Sequence, residues 1–285
     1  MFKSDIPFDT IKEKYTDEQS KFISIDGMDV HYKDEGEGEV LLLLHSVNTS
    51  LQDWDSCSND LKKYFRVVRL DLPGFGLTMA NKDFDYKRDS YIYFLKKFTI
   101  RVGIDTFHFG GASMGADLAW HFSLLSPYLI KSLVLVNPTD YPNYHPSAQQ
   151  KMSRHWLGKH IVRWSGSKKM IQKRVSKWFG ESMQLTETAF ERYHNLILRE
   201  GNRSSFISLN NAFHRDRFNR LGKLKNPTLI LWSEEIGENP FAKVLPHAKT
   251  IYYKNTHLYP MVESPIQTSK DLLSFLQNHK HLIIN

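Results

Sequence analysis

Two apolar runs, VLLLL at 40–44 and LVLV at 133–136, show no alternation of apolar and polar residues. A strand that faces water on one side alternates, whereas a strand buried on both faces does not, and such strands belong to parallel sheets covered by helices. That restricts the chain to an α/β layered architecture before any motif is read. Further β-rich runs follow the same order along the chain: FISI and DVHYKD, then RVVRLD (66–71), TFHFGG (106–111), PTLILW (227–232) and KTIYY (249–253). The first two flank the turn signal of DGM and are expected to form an antiparallel hairpin. Helices are expected near 51–64, 87–102, 114–126 and 264–279, the last with Pro265 in its first turn.

Between about Thr139 and Arg220 the β signal stops, and the text becomes helical, basic and aromatic, with Trp156, Trp164, Trp178, Phe179, Phe190, Tyr193, Phe206 and Phe213. The expected organisation is therefore a core of residues 1–139 and 221–285 interrupted by a helical insertion at 140–220. The charge follows this division. Residues 141–225 hold 17 Lys/Arg against 5 Asp/Glu, so of the total of 38 and 31 the rest of the chain keeps 21 and 26. Nucleic acid, anionic lipid or an acidic substrate would each be drawn to such a segment. No recognition motif accompanies the charge, so a solvated helical face is expected and no nucleic-acid partner.

With 41% hydrophobic residues in 285, the chain can bury a substantial core, which excludes a disordered or fibrous protein. A single cysteine, Cys57, excludes an internal disulfide framework and a thiolate-rich metal site, and no metal is expected. The start MFKSDIPFDTIKEKY carries no continuous apolar leader, and no stretch approaches the ~18 apolar residues of a spanning helix. A cytoplasmic protein without a membrane span, monomeric or homodimeric, is expected.

The chemistry concentrates in GGASMGA at 110–116. Gly111, Ala112, Ser113, Met114 and Gly115 spell GxSxG between a predicted strand and a predicted helix, which is the context of a nucleophile elbow. Glycines at the flanks let strand and helix backbones approach closely, and the central hydroxyl is left projecting from the sheet edge. A serine hydroxyl needs a base. His257, in YYKNTHLYPMVESP, directly follows the last strand and would lie at that same edge; most of the other histidines sit in predicted helices or the basic insertion.

These motifs, together with VLLLLHSVNTSLQDWD, RVVRLDLPGFGLT and KSLVLVNP, resemble the α/β-hydrolase superfamily over about residues 20–280, and within it the cap-bearing, esterase-like branch. The resemblance implies a mostly parallel central sheet flanked by helices, with residues 140–220 as a helical cap over the site. It implies Ser113 as nucleophile, His257 as base, the backbone N–H groups of Val47 and Met114 as the oxyanion hole, and no cofactor. Related dehalogenases and epoxide hydrolases carry a carboxylate at the elbow, where this chain has Ser113.

The chain departs from the family pattern at three positions. Ser46 follows His45 where glycine is usual, Thr256 precedes His257 where glycine is usual, and Ile236 stands four residues after Trp232, where the family's orienting aspartate is found. The neighbouring Glu235 is taken as the acid, ahead of Glu238 and of Asp140 beyond the LVLVN strand. The function expected is hydrolysis of a small or medium carboxylic ester or related acyl compound. A carbon–carbon hydrolase acting on a vinylogous diketone would use the same groups, and a ligand-binding or signalling protein on a weakened scaffold is the alternative from another class.

Overall fold

The computed structural model describes residues 4–142, 144–164, 166–181, 183–214 and 217–280. Its strands are β1 (Lys21–Ile25), β2 (Met28–Glu35), β3 (Val40–Leu44), β4 (Arg66–Leu70), β5 (Phe107–Ala112), β6 (Ile130–Val136), β7 (Thr228–Ser233) and β8 (Lys249–Tyr253). They form a single sheet in the order β1-β2-β4-β3-β5-β6-β7-β8. The β1–β2 hairpin is antiparallel and β2 runs antiparallel to β4, while all remaining pairs are parallel.

The unpatterned runs behave as their composition requires. In β3, Leu42 and Leu44 enter the apolar cluster on one face of the sheet, and Leu41 and Leu43 enter the cluster on the other. Helices α1 (Phe8–Tyr15), α2 (Asp55–Leu61), α3 (Arg88–Arg101) and α4 (Met114–Leu125) belong to the first part of the chain. Between β6 and β7 come α5 (Ala148–Ser153), α6 (Trp156–Trp164), α7 (Lys168–Val175), α8 (Glu187–Leu198) and α9 (Asn202–Ala212). Then follow α10 (Pro240–Val244), α11 (Pro260–Glu263) and α12 (Pro265–Gln277). The fold is that of an α/β hydrolase, a mostly parallel sheet with helices on both faces.

Two long-range ties were absent from the sequence reading. The amino-terminal segment, grouped there with the core, pairs with the insertion: Ile6 N–H donates to Leu198 O at 2.7 Å, and Glu200 N–H donates to Ile6 O at 2.8 Å. Ile11 of α1 packs with Leu196 and Leu77. The stem of the insertion is held by α4, where the buried Asp117 carboxylate accepts the N–H groups of Thr139 (2.8 Å) and Asp140 (3.0 Å) and the Thr139 hydroxyl.

The β5–α4 turn leaves no room for a side chain at Gly111. A Cβ added at Gly111 would overlap the Gly115 carbonyl and stand 2.7 Å from Ala116 N. Gly111→Ala is therefore expected to cost about 3 kcal/mol or more, a fall in Tm of about 6–12 °C. Gly222→Ala is the control, since its new Cβ would meet only Val244 Cγ1 at an ordinary 3.8 Å. Thermal denaturation of both variants checks this; equal Tm values would refute the overlap.

Candidate active site at the carboxyl ends of the strands

Ser113 closes β5 and opens α4 with φ 53° and ψ −115°, a conformation that costs a non-glycine residue about 1–3 kcal/mol. It persists because its surroundings leave no other path. Ser113 N–H donates to Val136 O at the end of β6 (2.8 Å), Ser113 O accepts Asp117 N–H (3.0 Å), and Gly111 and Gly115 face backbone atoms on either side. The side chain is left partly exposed at the sheet edge.

The loop after β3 is set by a buried imidazole. His45 Nε2 accepts the N–H of Leu72 at 2.9 Å, so the ring proton is on Nδ1, which donates to Ser46 O at 2.6 Å. Complete burial pushes the His45 pKa down, which keeps this neutral form. Thr49 Oγ1 also donates to Ser46 O, at 3.1 Å. In a trans peptide C=O and N–H point in opposite directions, so a carbonyl fixed toward His45 aims the Val47 N–H the other way. A Cβ on Gly115 would stand 2.6 Å from His45 O, which places the start of α4 directly against this loop. Among the described residues neither Val47 N–H nor Met114 N–H donates to another group.

His257 lies in the turn after β8, partly exposed. Its backbone is gripped from both sides. Its N–H donates to Glu263 (2.9 Å to Oε1), a carboxylate that also accepts the N–H groups of Tyr259 (3.2 Å) and Gly180 (2.6 Å). Its carbonyl accepts Asn137 Nδ2 at 2.9 Å, as does Leu258 O at 3.1 Å. Asn137 follows β6 and is one residue beyond the carbonyl that receives Ser113 N–H. The serine and the histidine thus share one rim of the sheet. Among the described residues no hydrogen bond joins Ser113 Oγ to the imidazole.

The expected acid is not in place. His257 Nδ1 is buried without a hydrogen-bond partner. Glu235 is exposed on the turn Glu234–Ile236 and makes no contact with His257. Glu238 is exposed and pairs with Lys243. Asp140 is fully buried but bound to Arg88 (2.9 Å) and His121 (2.7 Å), where it anchors the stem of the insertion. Ile236, at the family's acid position, turns inward onto the core. The carboxylate bound to the His257 backbone is Glu263, which the motifs do not single out. Burial raises its carboxyl above the usual carboxylate range, against the three amides and the His257 imidazole that draw it down. Its only signal in the sequence is a glutamate six residues after the histidine, in PMVE.

The three departures from the family pattern each make a contact here. Ser46 is buried and its side chain interacts with the Tyr259 hydroxyl, tying the loop after β3 to the loop of the base. Thr256 Oγ1 lies 2.8 Å from Ser233 Oγ at the end of β7, and Asn137 Nδ2 donates to the same Ser233 Oγ at 3.0 Å. Hydroxyls and an amide occupy the ground between β6, β7 and the base loop.

The fold and these motifs define an α/β hydrolase. Residues 39–235 match the α/β hydrolase fold family, and the chain belongs to that family. It is 27% identical over 228 residues to 2-hydroxy-6-oxononadienedioate/2-hydroxy-6-oxononatrienedioate hydrolase 1 of Pseudomonas putida, covering 75% of this chain and 79% of that protein. It is 26% identical over 185 residues to (E)-2-((N-methylformamido)methylene)succinate hydrolase of Acinetobacter baylyi, covering 64% and 66%. Among solved structures, carboxylesterase CesB from Bacillus subtilis shares the fold at TM-score 0.79, with 18% identity over 95% of this chain and 96% of that one. Among the described residues no helix is long and apolar enough to cross a membrane, and no group of three or more His, Cys, Asp or Glu is placed to hold a metal.

Asn137 sits in the left-handed region at φ 44° and ties β6, β7 and the base loop together. Asn137→Ala leaves two carbonyls without their donor and places alanine in that conformation, at an expected cost of about 2–4 kcal/mol. Urea denaturation measures this, and a midpoint within experimental error of wild type would contradict it.

Proposed function

We propose that the protein hydrolyses a small or medium carboxylic ester or related acyl compound, with Ser113 as nucleophile and His257 as base. The observation that carries this reading is the strained Ser113 standing beside two unengaged backbone N–H groups, those of Val47 and Met114. Ser113 Oγ attacks the substrate carbonyl as its proton passes to His257. Nδ1 is the buried nitrogen, so Nε2 receives the proton. The tetrahedral oxyanion forms against the two amides, where preorganised donors and the amino end of α4 stabilise developing negative charge. The protonated imidazole then hands its proton to the leaving alkoxide, and water, activated by the same ring, releases the acyl group. An acyl compound with a further carboxylate is the favoured substrate class, because the Pseudomonas and Acinetobacter relatives are named for a dioate and a succinate.

His257 works here without a carboxylate on Nδ1. In triads of this type, loss of the oriented acid lowers turnover by about four orders of magnitude. A slow enzyme follows, with Glu263 supplying negative charge through the backbone of the base. The second reading, a binding protein on a weakened scaffold, draws on the same unpartnered nitrogen. A carbon–carbon hydrolase would use the same groups on a vinylogous diketone, as the dioate relative suggests.

A fluorophosphonate probe and short p-nitrophenyl esters separate these readings. Wild type should label and turn over the esters, and Ser113→Ala should abolish labelling and lower turnover at least about 100-fold. A wild type that neither labels nor turns over esters or a dienol ketone sinks the enzyme. The missing acid has its own test in Ile236→Asp, which returns a carboxylate to the end of β7. Its expected effect is a rise in kcat of at least about tenfold with little change in KM. An unchanged or lower kcat would show that the base is already fully oriented by its backbone ties.

A further inference from the structure

Residues 141–180 hold nine Lys/Arg and not one Asp or Glu. Such a stretch carries no internal ion pairs, and its exposed cations, Lys151, Arg154, Lys159, Lys169, Lys173 and Lys177, make no salt bridge among the described residues. The same stretch exposes large apolar side chains. Trp156 is 74% exposed, Leu157 57%, Ile161 50% and Met170 46%, whereas Trp54, Trp120 and Trp232 of the core are at 0%.

The exposure is not a loosened core. At about 100° per residue, Trp156, Leu157, His160 and Ile161 fall on one face of α6, while Gly158 and Val162 fall on the other. That inner face is firmly seated: Val162 is buried, and Gly158 lies so close to α5 that a Cβ would overlap Met152 O. The outer face of α6 is therefore apolar by construction, and the chain next to it carries exposed cations: Arg154 just before the helix, Lys159 within it and Lys169 at the start of α7.

We infer that the outer face of α5–α7, centred on Trp156, Leu157 and Ile161, docks on an anionic lipid surface. A phosphate-bearing bilayer satisfies both halves of the patch, since headgroups take the cations and the acyl boundary takes the indole and the branched side chains. A duplex would meet the lysines and leave Ile161 and Leu157 in water. A second copy of the chain would bring nine like charges against nine. The docking goes beyond the hydrolysis proposed above and does not rest on it, because none of these residues belongs to the site around Ser113.

Cosedimentation with phosphatidylcholine vesicles, with and without 30% phosphatidylglycerol, tests the inference on the full chain. Wild type should partition onto the anionic vesicles and not onto neutral ones. Each lysine near such a surface strengthens binding about fivefold, so Lys159→Glu with Lys169→Glu should weaken partitioning at least about 25-fold. Trp156→Ser with Ile161→Ser should weaken it at least about tenfold at unchanged charge. Ser113→Ala should bind as wild type does, which separates a failure here from a failure of the hydrolase reading. All four side chains are exposed, and circular dichroism should find each variant folded. Absence of vesicle binding would overturn the inference, as would binding that ignores the apolar pair or tighter binding to random duplex DNA at the same ionic strength.

Discussion

Everything at the sheet edge depends on how closely three backbone segments approach one another. β5 meets α4 through Gly111, α4 meets the loop after β3 through Gly115, and in neither place is there room for one more carbon. Interiors are packed at crystal density and do not deform smoothly. A contact between backbones, unlike one between side chains, cannot be relieved by changing a rotamer. The strain at Ser113 is a consequence: the turn that satisfies both approaches passes through φ 53°, and the ladder bond from Ser113 N–H to Val136 O holds it there. The two unengaged amides, of Val47 and Met114, come to the same rim for the same reason. His45 completes the arrangement from beneath, because an imidazole held neutral by burial can accept from Leu72 on one side and donate to Ser46 on the other.

The base is held by a different economy. Where the family pattern puts a carboxylate on the ring, this chain puts polar groups on the backbone of His257. Glu263 takes the N–H of His257, and Asn137 gives to its carbonyl. A hydroxyl pair, Ser233 and Thr256, fills the space between β7 and the base loop. Orientation of the loop is thereby separated from stabilisation of the imidazolium. The first is provided by three neutral hydrogen-bonding groups, Asn137, Ser233 and Thr256, and one carboxylate held on three amides. For the second, were the ring to take a proton as proposed, no carboxylate among the described residues stands on Nδ1, and Glu263 acts on the ring only at a distance, which is weaker than a hydrogen bond. Gly180 ties this same carboxylate to the insertion, so the base and the helices α5–α9 share one anchor.

How much of this could be read from residues alone follows from the range of each interaction. The buried strands, the elbow and the place of His257 are local or periodic: unalternating apolar runs, two glycines around a serine, a histidine directly after the final strand. Those features report themselves within a dozen residues. Glu235 was misjudged because adjacency in sequence is not adjacency in facing. In a turn of three residues per revolution only one position points inward, and here it is Ile236, leaving Glu234 and Glu235 in solvent. Asp140 has its place set by Arg88 and His121, partners 52 and 19 residues away. The ties of Asn137 to Ser233 and His257, 96 and 120 residues away, of Glu263 to Gly180, 83 residues away, and of Ile6 to Leu198 likewise lie at separations for which a single sequence holds no periodic signal.

The net charge of +7 divides in the same way once the partners are known. Arg192 of α8, Arg203 of α9 and Arg199 between the two helices face inward and join the insertion to the rest of the chain. Arg192 reaches the buried Asp53 at 3.1 Å, Arg199 donates to Gly74 O at 2.7 Å, and Arg203 meets Asp5. Burial lowers the Arg199 pKa to about 10, which still leaves it charged at neutral pH. Guanidinium suits this work because its fixed fork of donors can serve carbonyls and carboxylates together. The lysines of α5–α7 face outward, and apart from Lys168, which pairs with Glu187 of α8, they make no salt bridge among the described residues. Composition counted these two populations as one basic segment, but only the inward set is consumed by the fold. The outward set keeps its charge, beside apolar side chains that the fold has also left uncovered, and an excess of both kinds on one face is the condition under which a surface acquires a partner.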